Sequence, residues 1–206
     1  PALLVVLAAV ALATNTWGST VGHTRTRGDG LAALVYVANW REVLAGTDYW
    51  GLTARPSPLQ HMWSLAIEEQ FYLVWPLLVV AVMGLARRRT TPPGGGPVDV
   101  HRPLGALLVV TVALAVASAA TALVLYDGPE DANRVYYGTD TRAQALLVGA
   151  FLAVALLRVP PDRLGSSRVQ ALGAVGLAGC LTAFVFATDV PTTTPWLYQG
   201  GFLGVA

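Results

Sequence analysis

Four stretches of this chain carry no charged residue at all: Pro1 to Gly22, Pro103 to Tyr126, Val169 to Thr188 and Val190 to Ala206. A helix needs about 20 apolar residues to cross about 30 Å of hydrocarbon. Backbone in lipid must satisfy its own polar groups, which leaves helices or closed barrels. Apolar and polar residues nowhere alternate at period two, so helices are favoured. The expected fold class is all-α, a polytopic transmembrane helix bundle, and the lipid bilayer is its first partner. Composition agrees, because only 12% of the 206 residues are charged, about half the share of a soluble domain. That excludes an ordinary soluble enzyme, a disordered chain and a disulfide-stapled module. Thirteen basic residues, all Arg, against twelve acidic ones give a net charge of +1, so nothing argues for a nucleic-acid partner. Cys180 is the single cysteine and reads as a small packing residue.

The apolar runs fall at Pro1 to about Thr14, Leu31 to Trp40, Pro58 to Ala86, Pro103 to Tyr126, Arg142 to Leu157, Val169 to Thr188 and from about Pro195 onward. The segment Thr90 to Pro97 has the composition of a flexible linker. Pro1 enters an apolar run with no initiator Met, and the last residues stop inside a further run. A fragment is the expectation. Arg87, Arg88, Arg89 and Arg102 flank one loop and Arg158, Arg163 and Arg168 fill another, so both are expected to be cytoplasmic. The intervening Asp127 to Asp140 is mostly acidic and is expected outside. The Pro58 to Ala86 helix then runs from outside to inside. Leu31 to Trp40 is too short to span, which places His23 to Gln60 on the outer side, with His23 and His101 in solvated loops.

Chemistry concentrates between Ser57 and Pro76. Ser57 suits an N-cap, Pro58 the first helical position and Gln60 the reciprocal side of a capping box. About 29 residues at 1.5 Å each give a helix of about 43 Å, more than the hydrocarbon needs, so its first turns protrude. At about 100° per residue, His61, Ser64, Glu68, Tyr72 and Trp75 share one stripe, with Glu69 about 80° to its side. A histidine, a hydroxyl, a carboxylate and a phenol on one face suit proton transfer to or from a hydroxyl. Pro76 is expected to kink the helix. A purely structural account also exists: glutamates early in a helix gain from the macrodipole, and Trp and Tyr anchor helices at interfaces. Intramembrane carboxylates are costly, however, and by default point to function.

At these residues the chain resembles a family. Ser64-Leu-Ala-Ile-Glu-Glu-Gln-Phe-Tyr72 is similar to the Ser-x-x-x-Glu-Glu-x-x-Tyr signature of the acyltransferase-3 family of membrane O-acyltransferases. The flanking Ser57-Pro-Leu-x-His-x-Trp-Ser and Tyr72-Leu-Val-Trp-Pro76 extend the likeness. Pro1-Ala-Leu-Leu, Tyr36-Val-Ala-Asn-Trp40, Tyr136-Tyr-Gly-Thr-Asp-Thr-Arg-Ala143 and Leu146-Leu-Val-Gly149 follow in the family's order. The resemblance implies transfer of an acyl group, usually acetyl, from cytoplasmic acetyl-CoA or another acyl-CoA to a hydroxyl. The acceptor would be an extracytoplasmic or membrane-associated glycan or a similar molecule, with no bound cofactor and no metal. It also implies that the family's first-helix histidine and its arginine motif lie upstream of Pro1, since His23, His61 and His101 do not match that histidine. Residues 1–206 are thus expected to form a single partial acyltransferase-3-like domain, truncated at both ends and inactive alone.

Glu68 is the first candidate to orient or deprotonate the acceptor hydroxyl, or to hold the upstream histidine in its reactive state, and Glu69 suits either task. Ser64 and Tyr72 are expected to hydrogen-bond within the stripe and His61 to act at its outer end. Trp63 and Trp75 suit sugar stacking or interfacial anchoring. Arg142 would pair with Glu68 or Glu69 or bind the acceptor; otherwise it bridges Asp140 or reaches the headgroups. Asp140 and Tyr137 join it as candidate acceptor-binding residues, with Asn39, Trp40 and Arg41 at the same outer mouth. The alternative is a secondary transporter using Glu68, Glu69 and Arg142 in an outward cavity, although no two related halves are visible. A non-catalytic membrane scaffold is the third reading.

Overall fold

The computed structural model describes residues 2–17, 20–46, 57–90, 101–160, 165, 167, 169–171 and 173–179. Seven helices are named here: α1 (Ala2–Trp17), α2 (Thr20–Leu34), α3 (Ala38–Ala45), α4 (Met62–Thr90), α5 (His101–Leu125), α6 (Ala132–Tyr137) and α7 (Thr139–Leu156), with a 3₁₀ turn at Pro129–Asp131 before α6. Among the described residues there is no strand, and the fold is all-α as expected. Among the described residues, three stretches are long and apolar enough to cross a membrane: Met62–Arg88, His101–Leu125 and Thr139–Leu156. In the run expected from Val169, residues 169–171 and 173–179 are helical. Its remainder, Cys180 and the run from Pro195 lie outside the described residues.

The broadest helix pairing is α5 against α7. Pro103, Leu107, Thr111, Ser118 and Ala122 are buried along α5, at spacings of four and seven that form one helical stripe. Thr141, Gln144, Leu147 and Val154 are their buried counterparts on α7. Small residues on the stripe allow close approach, which is how helices associate where lipid is as apolar as the side chains. The buried hydroxyls are satisfied locally. Thr111 donates to the Leu107 carbonyl at 2.7 Å. Ser118 donates to the Asp140 carbonyl at 2.6 Å and accepts from the Gln144 N–H at 3.1 Å, tying α5 to the first turn of α7.

A second cluster joins α2, α3 and α4 through Ala32, Ala33, Ala38 and Ala66, with Leu7 of α1, Tyr36 and Met62 packed around it. Four alanines bring three helices together closely enough for short polar side chains to bridge them. Leu31 to Trp40 is therefore not one segment. It breaks at Val35–Val37, where Tyr36 takes the left-handed conformation with φ +55°, a costly choice for a non-glycine residue. Nor is His23 to Gln60 mainly loop, since it contains α2 and α3. His23 is half-buried on α2, and His101 is the exposed first residue of α5.

α4 starts at Met62, four residues later than Ser57 and its capping signals suggested, and ends at Thr90. Residues 58–60 form a turn instead. Ser57 Oγ accepts from the Leu59 N–H at 3.3 Å, and the Ser57 carbonyl accepts from the Gln60 N–H at 3.0 Å. The capping box does not close, because Gln60 Nε2 donates to the Tyr137 hydroxyl at 3.4 Å. The helix assignment is continuous through Pro76.

Candidate functional site

The polar centre of the molecule lies where α3, the third turn of α4 and the start of α7 meet. Asn39 is fully buried. Its Nδ2 donates to the Tyr137 carbonyl at 3.0 Å and to Thr139 Oγ1 at 2.8 Å. Gln70 Nε2 donates to the Tyr36 carbonyl at 2.7 Å and to Asn39 Oδ1 at 3.0 Å. Thr139 Oγ1 donates to Gln70 Oε1 at 2.6 Å. Tyr36 is the left-handed residue of the α2–α3 break, so Gln70 also satisfies the carbonyl that this turn turns inward. Gln70 and Thr139 had no place among the residues singled out from the sequence. Both lie inside the family-like stretches Ser64 to Tyr72 and Tyr136 to Ala143, which by themselves assigned neither a role.

Beside this centre sits an aromatic cluster topped by arginines. Trp63, Ile67 and Tyr137 are buried together, with Val43, Tyr136 and Leu146 around them. The Trp63 ring lies 4.7 Å from Tyr136 and 5.4 Å from Tyr137, centroid to centroid. The Arg142 guanidinium stands 5.1 Å from the Tyr136 ring and 5.9 Å from the Trp63 ring, a cation–π arrangement with two faces. Arg134 stands 5.2 Å over Trp40 and forms a fork with Asp140, Nη1 to Oδ1 at 3.0 Å and Nη2 to Oδ2 at 2.7 Å.

These contacts correct several expectations. Asp140 pairs with Arg134, not Arg142, because the fork geometry of a guanidinium six residues earlier matches the carboxylate. Arg142 rests against the Trp63 and Tyr136 rings. Asn39, expected at the outer mouth, and Trp63 and Tyr137, candidates for contact with the acceptor, are buried at 0%, 7% and 0% exposure. Burial makes them part of the packed framework. Trp40, half-buried under Arg134, keeps an accessible edge.

Ser64, Glu68 and Tyr72 share one face of α4, as their spacing predicts, and the structure turns that face away from the packed one. With Ala66 as zero and about 100° per residue, Met62, Trp63, Ala66, Ile67 and Gln70 fall between about −40° and 100°. These are the residues packed against α2, α3, α6 and α7. His61, Ser64, Glu68, Tyr72 and Trp75 centre on about 200°, the opposite face. His61 is exposed, Ser64, Glu68 and Glu69 are half-buried, and Tyr72 is 58% exposed. Ser64 Oγ donates to the His61 carbonyl at 3.2 Å, and Trp75 stacks on Phe71 at 5.4 Å. The described helices therefore do not bring the stripe together with Asn39, Trp63, Tyr137 and Arg142. Gln70 and the small Ala66 take the packed face because α3 and α7 supply partners for the half-buried amide, and an unpaired one is costly.

Two acidic residues outside the expected spans are buried as well, Asp29 on α2 and Glu42 on α3. Arg41 Nε donates to Asp29 Oδ1 at 2.7 Å, and Arg25 Nε lies 4.0 Å from Oδ2. The Arg41 guanidinium rests where a Cβ on Gly28 would stand. A cavity of about 510 Å³ between α4, α5 and α7 has Gln70, Thr139, Asp140 and Ser118 in its wall and Leu73, Val74, Leu78, Leu114 and Leu147 among its apolar lining. Among the described residues no group of three His, Cys, Asp or Glu side chains converges to hold a metal ion.

Comparison with known proteins bears on the family. The chain is 36% identical over 182 residues to the peptidoglycan O-acetyltransferase OatA of Listeria monocytogenes, covering 87% of this chain and 27% of that protein. It is 33% identical over 178 residues to the O-acetyltransferase OatA of Staphylococcus aureus, covering 84% of this chain and 26% of the other. It is 37% identical over 188 residues to YrhL of Bacillus subtilis, provisionally named a peptidoglycan O-acetyltransferase, covering 89% and 27%. The chain spans about a quarter of the length of these curated relatives. No family model matches, and no solved structure matches. Over most of its length the chain is thus similar to proteins named as O-acetyltransferases, in line with the acyltransferase-3 resemblance of its Ser57 to Pro76 block.

Proposed function

We propose that this chain is part of a membrane O-acetyltransferase that moves an acetyl group from cytoplasmic acetyl-CoA to a hydroxyl of an extracytoplasmic glycan, with peptidoglycan the foremost acceptor. The observation that carries this reading is the 33–37% identity, over most of the chain, to proteins named for O-acetylation. The Glu68–Glu69 pair on a spanning helix supports it, since carboxylates at membrane depth are costly unless they work. Glu68 accepts the proton of the acceptor hydroxyl or fixes the base that does. Glu69 shares the site with it, and Ser64, His61 and Tyr72 extend the same face.

The Glu68 end of α4 faces outward in this reading, because Arg87, Arg88 and Arg89 hold the other end at the cytoplasmic surface. Trp40, Arg134, Asp140 and Arg142 then sit on the acceptor's side, where a stacked guanidinium and an aromatic edge suit a polar sugar. None of the named relatives is a transporter, so the transporter alternative has no support from the comparisons. The test uses membranes containing the full-length protein, supplied with labelled acetyl-CoA and followed by mass spectrometry of peptidoglycan. Labelled O-acetyl groups on the glycan are expected. Labelled donor that is never transferred to any hydroxyl would overturn the reading.

A further inference from the structure

Asn39, Gln70 and Thr139 come from three helices and close a ring. Gln70 Nε2 donates to Asn39 Oδ1 at 3.0 Å, Asn39 Nδ2 to Thr139 Oγ1 at 2.8 Å, and Thr139 Oγ1 to Gln70 Oε1 at 2.6 Å. Each member gives one hydrogen bond and accepts one within the ring. Its direction is fixed from outside. The second N–H of Gln70 donates to the Tyr36 carbonyl, and that of Asn39 to the Tyr137 carbonyl. Neither carbonyl can donate, so neither amide can flip without placing two acceptors together.

We propose that this ring is a positioning device that sets the rotation of α4, and through it the face on which Glu68 and Glu69 stand. Gln70 follows Glu69 by one residue and Glu68 by two, so its azimuth leaves theirs no freedom within a continuous helix. A rotation of about 20° moves an atom about 5 Å from the axis by about 1.7 Å. Hydrogen bonds beginning at 2.6 to 3.0 Å do not survive that displacement. The outer face of α4 adds little resistance to rotation, since Leu73, Leu77 and Val80 are 66–72% exposed, so the ring acts together with the packing of Trp63, Ala66 and Ile67 on the inner face. Gln70, Asn39 and Thr139 are thus positioning residues and not catalytic ones. The inference rests on the reading of Glu68 and Glu69 as the acidic pair of the site.

The test takes the full-length protein in membranes, with native cysteines including Cys180 replaced, and compares Thr139→Val, Thr139→Ser and Gln70→Glu. Thr139→Val removes the ring's hydroxyl and keeps the shape. Thr139→Ser keeps the hydroxyl. Gln70→Glu replaces the two-donor amine with an acceptor at the same size. In one arm, single cysteines at positions 68, 69 and 72 are labelled with an aqueous maleimide. The ring predicts that their relative labelling changes at least about threefold in Thr139→Val and Gln70→Glu and stays at the parental pattern in Thr139→Ser. In the other arm, acetyl transfer is measured with the native glutamates. The expected result is a fall in kcat of about 10- to 100-fold, as small misplacements of catalytic groups produce, with acceptor KM unchanged and with rescue in Thr139→Ser. An unaltered labelling pattern in the two ring-breaking variants overturns the proposal, whatever the activity. A changed pattern in a protein that transfers no acetyl group upholds the ring and counts against the functional reading instead.

Discussion

Asn39 Nδ2 donates to the carbonyl oxygen of Tyr137 at 3.0 Å, across 98 positions of sequence. This bond fastens α3 to the end of α6, and both residues are fully buried. The amide is thus part of the frame that carries the aromatic cluster and the two arginines above it. A small group of polar contacts acts together with apolar burial in orienting these helices about their axes.

Replacing Asn39 by leucine removes the donor to the Tyr137 carbonyl and the acceptor of one Gln70 N–H. Each such loss costs about 1–3 kcal/mol. Asn39→Leu should therefore lower the detergent-solubilised protein's stability by several kcal/mol, seen as a clear drop in Tm. A Tm equal to the parent's would refute the buried placement.

Gly138 lies between α6 and α7, where a Cβ would meet Arg134 Nη1, Asp140 Oδ1 and Thr141 Oγ1. Gly138→Ala must push the Arg134–Asp140 fork apart and disturb Thr141, which donates to the Val135 carbonyl at 2.7 Å. Crowding of this kind costs about 1–3 kcal/mol. Asp140→Asn alone should cost under about 1 kcal/mol, because the pair is partly exposed. Measuring both variants by thermal unfolding checks the order, and equal losses would contradict it.

Gly28 and Arg41 form a lock of a different kind. A methyl group at position 28 displaces the Arg41 guanidinium from Asp29, leaving a buried carboxylate without its close partner. Gly28→Ala and Arg41→Gln should each destabilise by about 1–3 kcal/mol. Their double variant should cost little more than either single one, since both remove the same contact. Additive losses in this cycle would show that Gly28 does not act through Arg41.

Glu68→Gln in the full-length protein should lower acetyl transfer by about 100-fold or more, the usual range for loss of a general base. Membrane accumulation should stay at the parental level. Activity near that of the parent would remove Glu68 from the mechanism and leave Glu69 as the acidic candidate.

Membrane-spanning helices were legible because hydrocarbon imposes a simple requirement of length and apolarity, and α5 and α7 appear within a few residues of the charge-free or charge-poor runs that announced them. The block from Ser57 to Pro76 likewise disclosed a family resemblance, since such a motif is a property of residue order. Local signals misled where a distant group competed. Gln60 had the position to close a capping box, yet it bonds Tyr137, and α4 begins later. The helical wheel correctly grouped His61, Ser64, Glu68 and Tyr72 on one face. It could not say which face α4 turns toward its neighbours.

Sequence alone therefore determined an all-helical membrane chain, its spans and the two glutamates at one end of a long helix. Those follow from period, length and the cost of charge in lipid, all of which act locally. Tertiary structure alone decided that Ala66, Trp63 and Gln70 face inward, that Asp29 and Glu42 are buried, and that Asp140 takes Arg134. Each of these depends on which partner satisfies a buried polar group, and such partners as Asn39 and Thr139 lie 100 residues apart in the chain.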